Sequence, residues 1–322
     1  MNESGNPTAL PLPGQQAPRH KQISQCVISF GSNLGDRREL IAAAARRIAE
    51  CDLILAGDAL RTSRLFETPP IGGPGGQEPF LNAIGVFQTQ SPARAVLDLL
   101  QHLESDLGRQ RRLRWDARSI DLDVVLYGNL VGGTAGLVVP HPRYTARQFV
   151  LRPACDVAAH FRDPRFGWTL HELSEHLSAD VPSLALVTGR KETRELLCHR
   201  LAEEHGIAIR TANRFHFFAG ASENRWVSDF LPTLPARPQS QSDHPKLPIS
   251  SLTGLPRLLV RIQQSSAADR WPAPHQMWPG GWRWPEYRLE IDDIDWAVSE
   301  LASALDSMRC SAEPVTEDGH WW

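Results

Sequence analysis

The sequence is poor in cysteine, and what it has is scattered. Cys26, Cys51, Cys155, Cys198 and Cys310 are odd in number and form no C-x-x-C pair. That pattern argues against a disulfide framework or a zinc knuckle and points to a reducing cytoplasm. Long hydrophobic runs are also missing: no stretch approaches the roughly 18 apolar residues that a membrane-crossing helix needs. The opening segment, MNESGNPTALPLPGQQAPRHKQ, lacks the apolar centre of a secretion signal. Its Pro, Gln and Gly content predicts a disordered tail over 1–24. Net charge is close to absent at -3, which argues against wholesale binding to nucleic acid or an anionic membrane. No G-x-x-x-x-G-K-[ST] phosphate loop occurs, and no internal repeat links the halves.

What remains is a globular composition, 41% hydrophobic and 22% charged, over 322 residues. That length suits one large domain or two ordinary ones. CVISFG (26–31) reads as a strand entering a Gly-Ser-Asn turn. DRRELIAAAARRIAEC then places Leu40, Ile41, Ala44, Ala45 and Ile48 on one helical face. LILAGDALRTSRLFE reads as extended and ends at Thr68-Pro69-Pro70. PFLNAIGVFQTQ is a further strand. Ser91-Pro92 is the expected start of a helix carrying Val96, Leu99, Leu100, Leu103 and Leu107, closed by Gly108. The strand SIDLDVVLYG follows an arginine-rich loop. Helices are expected around 145–157 and 169–178.

Strand, helix, strand, strand, helix, strand is the split βαβ order. It predicts an α+β fold with a ferredoxin-like antiparallel sheet and packed helices over 25–180. A second, smaller α/β domain is expected over 184–310, and a flexible tail over 311–322. LALVTGRKETRELLCHRLAEEHG resembles the strand–loop–helix start of a nucleotide kinase, without its phosphate loop. A degenerate, non-catalytic kinase-like unit is the preferred reading of that half, with an unrelated α/β module as the alternative; self-association, a partner contact and regulation are the roles left open. Trp271, Trp278, Trp282 and Trp284 are read mainly as the packing of an irregular lid.

The chemistry sits in RSIDLDVVLYG. Side chains alternate across a strand, so Asp121 and Asp123 share one face. Two like charges there repel unless something positive lies between them. A hard divalent cation such as Mg²⁺ answers that, and so does pairing with arginine or solvation on an outward face. Arg109, Arg111, Arg112, Arg114 and Arg118 crowd the preceding loop. Their guanidinium forks suit phosphate oxygens. Carboxylates for a metal beside arginines for phosphate are what polyphosphate transfer requires. Phe80 and Phe149 could sandwich a flat acceptor ring, with Asn82 reading its edge, although each phenylalanine also suits a plain core.

FGSNLGDR (30–37), ETPP (67–70), FLNA (80–83), Gln101-x-x-Glu104, GRQRRLRWDARSIDLDVVLYG (108–128) and VPHPRYTARQFVLRP (139–153) occur in that order. Together they resemble the 6-hydroxymethyl-7,8-dihydropterin pyrophosphokinases of folate biosynthesis, over about 25–178. The resemblance implies transfer of diphosphate from ATP to the pterin hydroxymethyl group, leaving AMP, with two Mg²⁺ ions on Asp121 and Asp123. It implies stacking of the pterin on Phe80 and Phe149. The ring's edge would meet Asn82 and the stretch Thr68, Pro69, Pro70 and Ile71, with Trp115 nearby. ATP would be held by Gln101, Arg111, Arg114, Trp115, Arg118, Val124, His141 and Arg147. Catalytic weight falls on Arg111, Arg118, Asp121 and Asp123, while Arg109 and Glu104 support the loop. Small molecules are thus the expected partners, with no nucleic acid and no membrane. One departure is Asp116-Ala117, where the family usually has Gly-Pro. It loosens the turn and adds a negative charge. Competing readings are another Mg²⁺-dependent nucleotidyl or phosphoryl transferase, or a non-catalytic nucleotide- or RNA-binding relative. Residues 71–79 and 108–118 are expected to close over the substrates, and residues 1–178 alone to retain some activity.

Overall fold

The computed structural model describes residues 22–109, 117–134, 136–211, 224–231, 254–264 and 284–322. The expected tail 1–21, three of the four tryptophans (271, 278 and 282) and residues 110–116 of the arginine loop lie outside them.

The first sheet contains β1 (Ser24–Ser32), β2 (Arg61–Thr62), β3 (Phe66–Thr68), β4 (Phe80–Thr89) and β5 (Asp121–Tyr127). Its order is β3-β4-β1-β5, with β2 paired to β4, and every pairing is antiparallel. Helices α1 (Arg37–Ala49) and α2 (Ala93–Asp106) cross between strands, giving the expected ferredoxin-like arrangement. Asp36 caps α1 by accepting from the Glu39 N–H at 3.1 Å. Ile41, Ala44, Ala45 and Ile48 recur at helical spacing and are buried against the sheet with Phe30 and Phe87. At α2 the boundary residue is Pro92 rather than Ser91, and no side chain caps it. The extended reading of 53–65 shrinks to the two-residue β2 and turns. A hairpin of β6 (Gly132–Thr134) and β7 (Leu137–Val139) leads into α3 (Gln148–Val157) and α4 (Leu170–Ser178). Thr169 and Glu172 form a reciprocal capping box on α4.

A second sheet is wholly parallel. It holds β8 (Ser183–Leu186), β9 (Ala208–Arg210), β10 (Trp226–Ser228), β11 (Leu258–Gln264) and β12 (Glu286–Ile291), in the order β12-β11-β8-β10-β9. Helices α5 (Lys191–His205) and α6 (Ile294–Ser307) accompany it. The apolar run SLAL of β8 is buried throughout, as a central parallel strand must be. Trp284 is 1% exposed and donates to the Pro256 carbonyl at 2.9 Å, so this tryptophan is core. No helix among the described residues is long and apolar enough to cross a membrane.

Two expectations are corrected here. The halves share a core cluster, beside one centred on the first half and one on the second. One cluster joins Val27, Ile84 and Val125 of the first sheet, through Leu151 and Leu173, to Leu186 and Val260 of the second. The first sheet has α1 and α2 on one face, which leaves an apolar opposite face to be covered. The expected flexible tail 311–322 is also packed. Strand β13 (Glu313–Pro314) pairs with β3 at the sheet edge. Trp321 is 7% exposed, meets Phe30 edge-on and donates to the Ser63 carbonyl at 2.7 Å. A buried indole with its N–H satisfied outweighs the polar composition that suggested disorder.

Candidate active site

Strand alternation places Asp121 and Asp123 on one face of β5, opposite Leu122 and Val124. Asp121 is held by arginines on both oxygens: Arg109 lies 2.7 Å from Oδ1, and Arg118 bonds Oδ2. Arg109 also bonds Glu104, whose carboxylate accepts the Leu122 N–H at 2.8 Å. Burial pushes the Glu104 carboxyl up, and the Arg109 charge opposes that shift. The Glu104–Arg109–Asp121 chain thus ties the end of α2 to the head of β5, the support expected of Arg109 and Glu104.

Asp123 is half-exposed, and its Oδ2 lies 3.8 Å from His141 Nε2. The His141 ring is held well below its ordinary 6.5, first by burial and then by the Arg147 and Arg143 charges. His141 Nδ1 accepts the Arg143 N–H at 3.2 Å. The proton of the neutral ring therefore sits on Nε2, toward the carboxylates, where it can donate.

Beside these groups lies a pocket walled by Gly31, Thr68, Pro69, Ile71, Phe80, Asn82, Arg118, Asp121, Arg147 and Phe149. The Asn82 amide nitrogen donates to Thr68 Oγ1 at 2.8 Å, which leaves its carbonyl oxygen as an acceptor. That oxygen would stand 3.3 Å from a Cβ at position 31, so glycine allows the strands their close approach. The Arg147 guanidinium covers the Phe149 ring at 5.5 Å from its centroid.

Several expected site residues fall elsewhere. Pro70, Gln101, Asp123, Val124 and His141 are not in this wall. Val124 is 4% exposed in the hydrophobic core, so its side chain cannot face a ligand; alternation turned it away from the aspartates. Gln101 sits half-buried on α2, one turn before Glu104. Arg111, Arg114 and Trp115 lie outside the described residues.

Other participants were given no role from the sequence. Asn33 is buried at the end of β1, accepts the Arg118 N–H at 2.7 Å and donates to Gln77 at 3.0 Å. It pins the arginine and the glycine-rich loop together. Its place right after Gly31-Ser32 was the only local signal. Tyr287, Glu300, Ser303, Ala304 and Ser307 complete the pocket from the second half of the chain. No motif in the first half could have revealed them.

Among the described residues, no group of three His, Cys, Asp or Glu side chains could hold a metal. The oxygen-only pair of Asp121 and Asp123 suits a hard cation whose remaining ligands are water and phosphate. Residues 27–159 match the family described as 7,8-dihydro-6-hydroxymethylpterin-pyrophosphokinase. The Pseudomonas aeruginosa 2-amino-4-hydroxy-6-hydroxymethyldihydropteridine pyrophosphokinase is 37% identical over 145 residues, 44% of this chain and 85% of the relative. The Bacillus subtilis protein of the same name is 36% identical over 130 residues, 40% of this chain and 75% of the relative. The Haemophilus influenzae one is 33% identical over 132 residues, 41% of this chain and 80% of the relative. The chain from 160 onward lies outside the family match.

Proposed function

The chain belongs to the 7,8-dihydro-6-hydroxymethylpterin-pyrophosphokinase family, and from that premise we infer how its pocket works. The reaction moves a diphosphate from ATP to the hydroxymethyl group of the dihydropterin. One observation carries the assignment of parts: a single cavity joins two phenylalanines and an amide to an arginine-flanked carboxylate. Phe80 and Phe149 hold the flat ring, and Asn82 with Thr68 reads its edge. This sets the hydroxymethyl arm toward Asp121.

Asp121 and Asp123 are the groups that would hold Mg²⁺, which neutralises phosphate charge and favours in-line attack. Asp121 is paired with Arg109 on one oxygen and with Arg118 on the other. An incoming polyphosphate offers Arg118 a new anionic partner, which frees Asp121 Oδ2. Arg109 stays behind, anchored by Glu104. Arg147 and the Nε2 proton of His141 supply further donors to phosphate oxygens. Catalysis on this reading is positioning plus charge neutralisation, with no general base required.

The test is incubation of the full chain with ATP, Mg²⁺ and hydroxymethyl dihydropterin, with separation of the nucleotides formed. AMP is expected. Release of ADP or of free diphosphate would replace this reading with a simple kinase or a nucleotidyltransferase.

A further inference from the structure

Glu300 lies in the half of the chain that the family does not match, yet it stands in the pocket wall. Helix α6 turns Glu300, Ser303, Ala304 and Ser307 to the cavity, a stripe at spacings of three, four and seven. Its opposite stripe, with Val298, Leu301 and Leu305, is buried in the shared core. The helix therefore has a fixed back and a polar front on the substrate side.

The neighbouring strand is strapped to the site loop. The Arg288 N–H donates to the Pro142 carbonyl at 3.0 Å. Thr145 Oγ1 donates to the Glu286 carbonyl at 2.8 Å, and Arg165 lies 3.5 Å from the Glu286 carboxylate. These contacts hold β12, just ahead of α6, against the loop that carries His141 and Arg147.

Glu300 is 3% exposed. Its Oε1 accepts the Tyr287 hydroxyl and lies 3.4 Å from Arg143 Nε. Its Oε2 is buried with no hydrogen-bond partner. A buried acceptor without a donor is costly, and a ligand that brings an N–H removes the cost. The substrate named for the relatives carries a 2-amino group, which is such a donor. Asn82 donates its amide nitrogen to Thr68, and its carbonyl oxygen, the acceptor it has left, lies toward Gly31 on the other strand.

We propose that Glu300 of α6 accepts a hydrogen bond from the amino group of the bound ring, so that the C-terminal half completes the substrate pocket. The proposal rests on the reading of this cavity as a pterin site. Glu300 then acts as a specificity-determining contact, and Ser303, one turn on, shapes the wall beside it.

The experiment titrates full-length wild type, Glu300→Gln and Glu300→Leu with hydroxymethyl dihydropterin and with a pteridine lacking the 2-amino group, read by ring fluorescence. Steady-state AMP formation is followed in parallel. Wild type is expected to prefer the amino compound at least tenfold, and Glu300→Leu to lose at least fivefold of that preference. The KM for the pterin rises in both variants, and the KM for ATP stays within twofold. A purely structural Glu300 would lower the melting temperature without changing the preference between the two rings. If wild type makes AMP and the variants discriminate as well as it does, the inference falls and the pyrophosphokinase reading stands. If wild type binds neither ring and makes no AMP, both fall.

Discussion

Asp121 and Asp123 show how much one residue pair can reveal. Their spacing predicted a shared face with a metal or arginine to offset the charge, and the structure puts them on one face and pairs Asp121 with Arg109 and Arg118. The two ideas are compatible if Arg118 exchanges partners. Asp121→Ala and Asp123→Ala are each expected to lower kcat at least about a hundredfold with the melting temperature little changed, as for loss of a charge-stabilising group. Near-normal turnover in both, measured as AMP per minute, would remove the proposed metal site. Gly85 makes a different point. A Cβ there would stand 2.9 Å from Phe30 and 3.0 Å from Leu60. Gly85→Ala should therefore cost about 1–3 kcal/mol by urea melts, through overpacking rather than backbone strain. An unchanged melt would show that the core yields more easily than this packing implies.

Among elements, the C-terminal strap and the glycine-rich loop behave oppositely. Residues 311–322 read as a tail from composition, yet β13 and Trp321 close the edge of the first sheet. Trp321→Ala should lower stability by about 3 kcal/mol, the usual cost of emptying a buried indole site. A loss below about 1 kcal/mol would mean the strap is only loosely attached. The loop 71–79 has no strand or helix, and Gly72, Gly73 and Gly76 take positive φ. Its polar ties to the end of β1 and the start of α1 come from its last residues, Gln77 and the Glu78 carbonyl on Asn33 and the Pro79 carbonyl on Arg37. Its amides should exchange quickly in the free protein and at least tenfold more slowly with a non-hydrolysable ATP analogue and the pterin bound. Equal exchange in both states would rule out closure of this loop.

For the whole molecule, the decisive feature is the shared core. The expectation that residues 1–178 alone retain some activity turns on how well that fragment keeps its fold. Removing the second half would strip cover from Val150, Leu151, Ala154 and Leu173, all members of the joint cluster. A fragment ending at 178 is expected to melt at least about 10 °C below the full chain. A fragment that melts with the full chain would show the halves to be independent. Acid sensitivity is also a property of the whole. His176 is buried and His141 partly buried, and both are held well below 6.5, chiefly by desolvation. Below that value the unfolded chain takes up protons that the folded chain refuses. Stability should then decline as pH drops from about 6.5, by up to roughly 1.4 kcal/mol per pH unit for each histidine. Denaturant melts at pH 7.5 and 5.5 measure this, and His176→Gln should flatten the slope. An identical slope in that variant would remove His176 from the account.

By itself the sequence determined the local rules: which runs form the main strands, which helix faces are apolar, and that Asp121 and Asp123 share one strand face. Those follow from alternation, helical period and residue chemistry, all of which act within a few positions. Tertiary structure alone decided that α6 walls the pocket and that Trp321 returns to the first sheet. Each of these depends on contacts between residues far apart in the chain. They are set by which apolar faces are left uncovered once the local elements have formed.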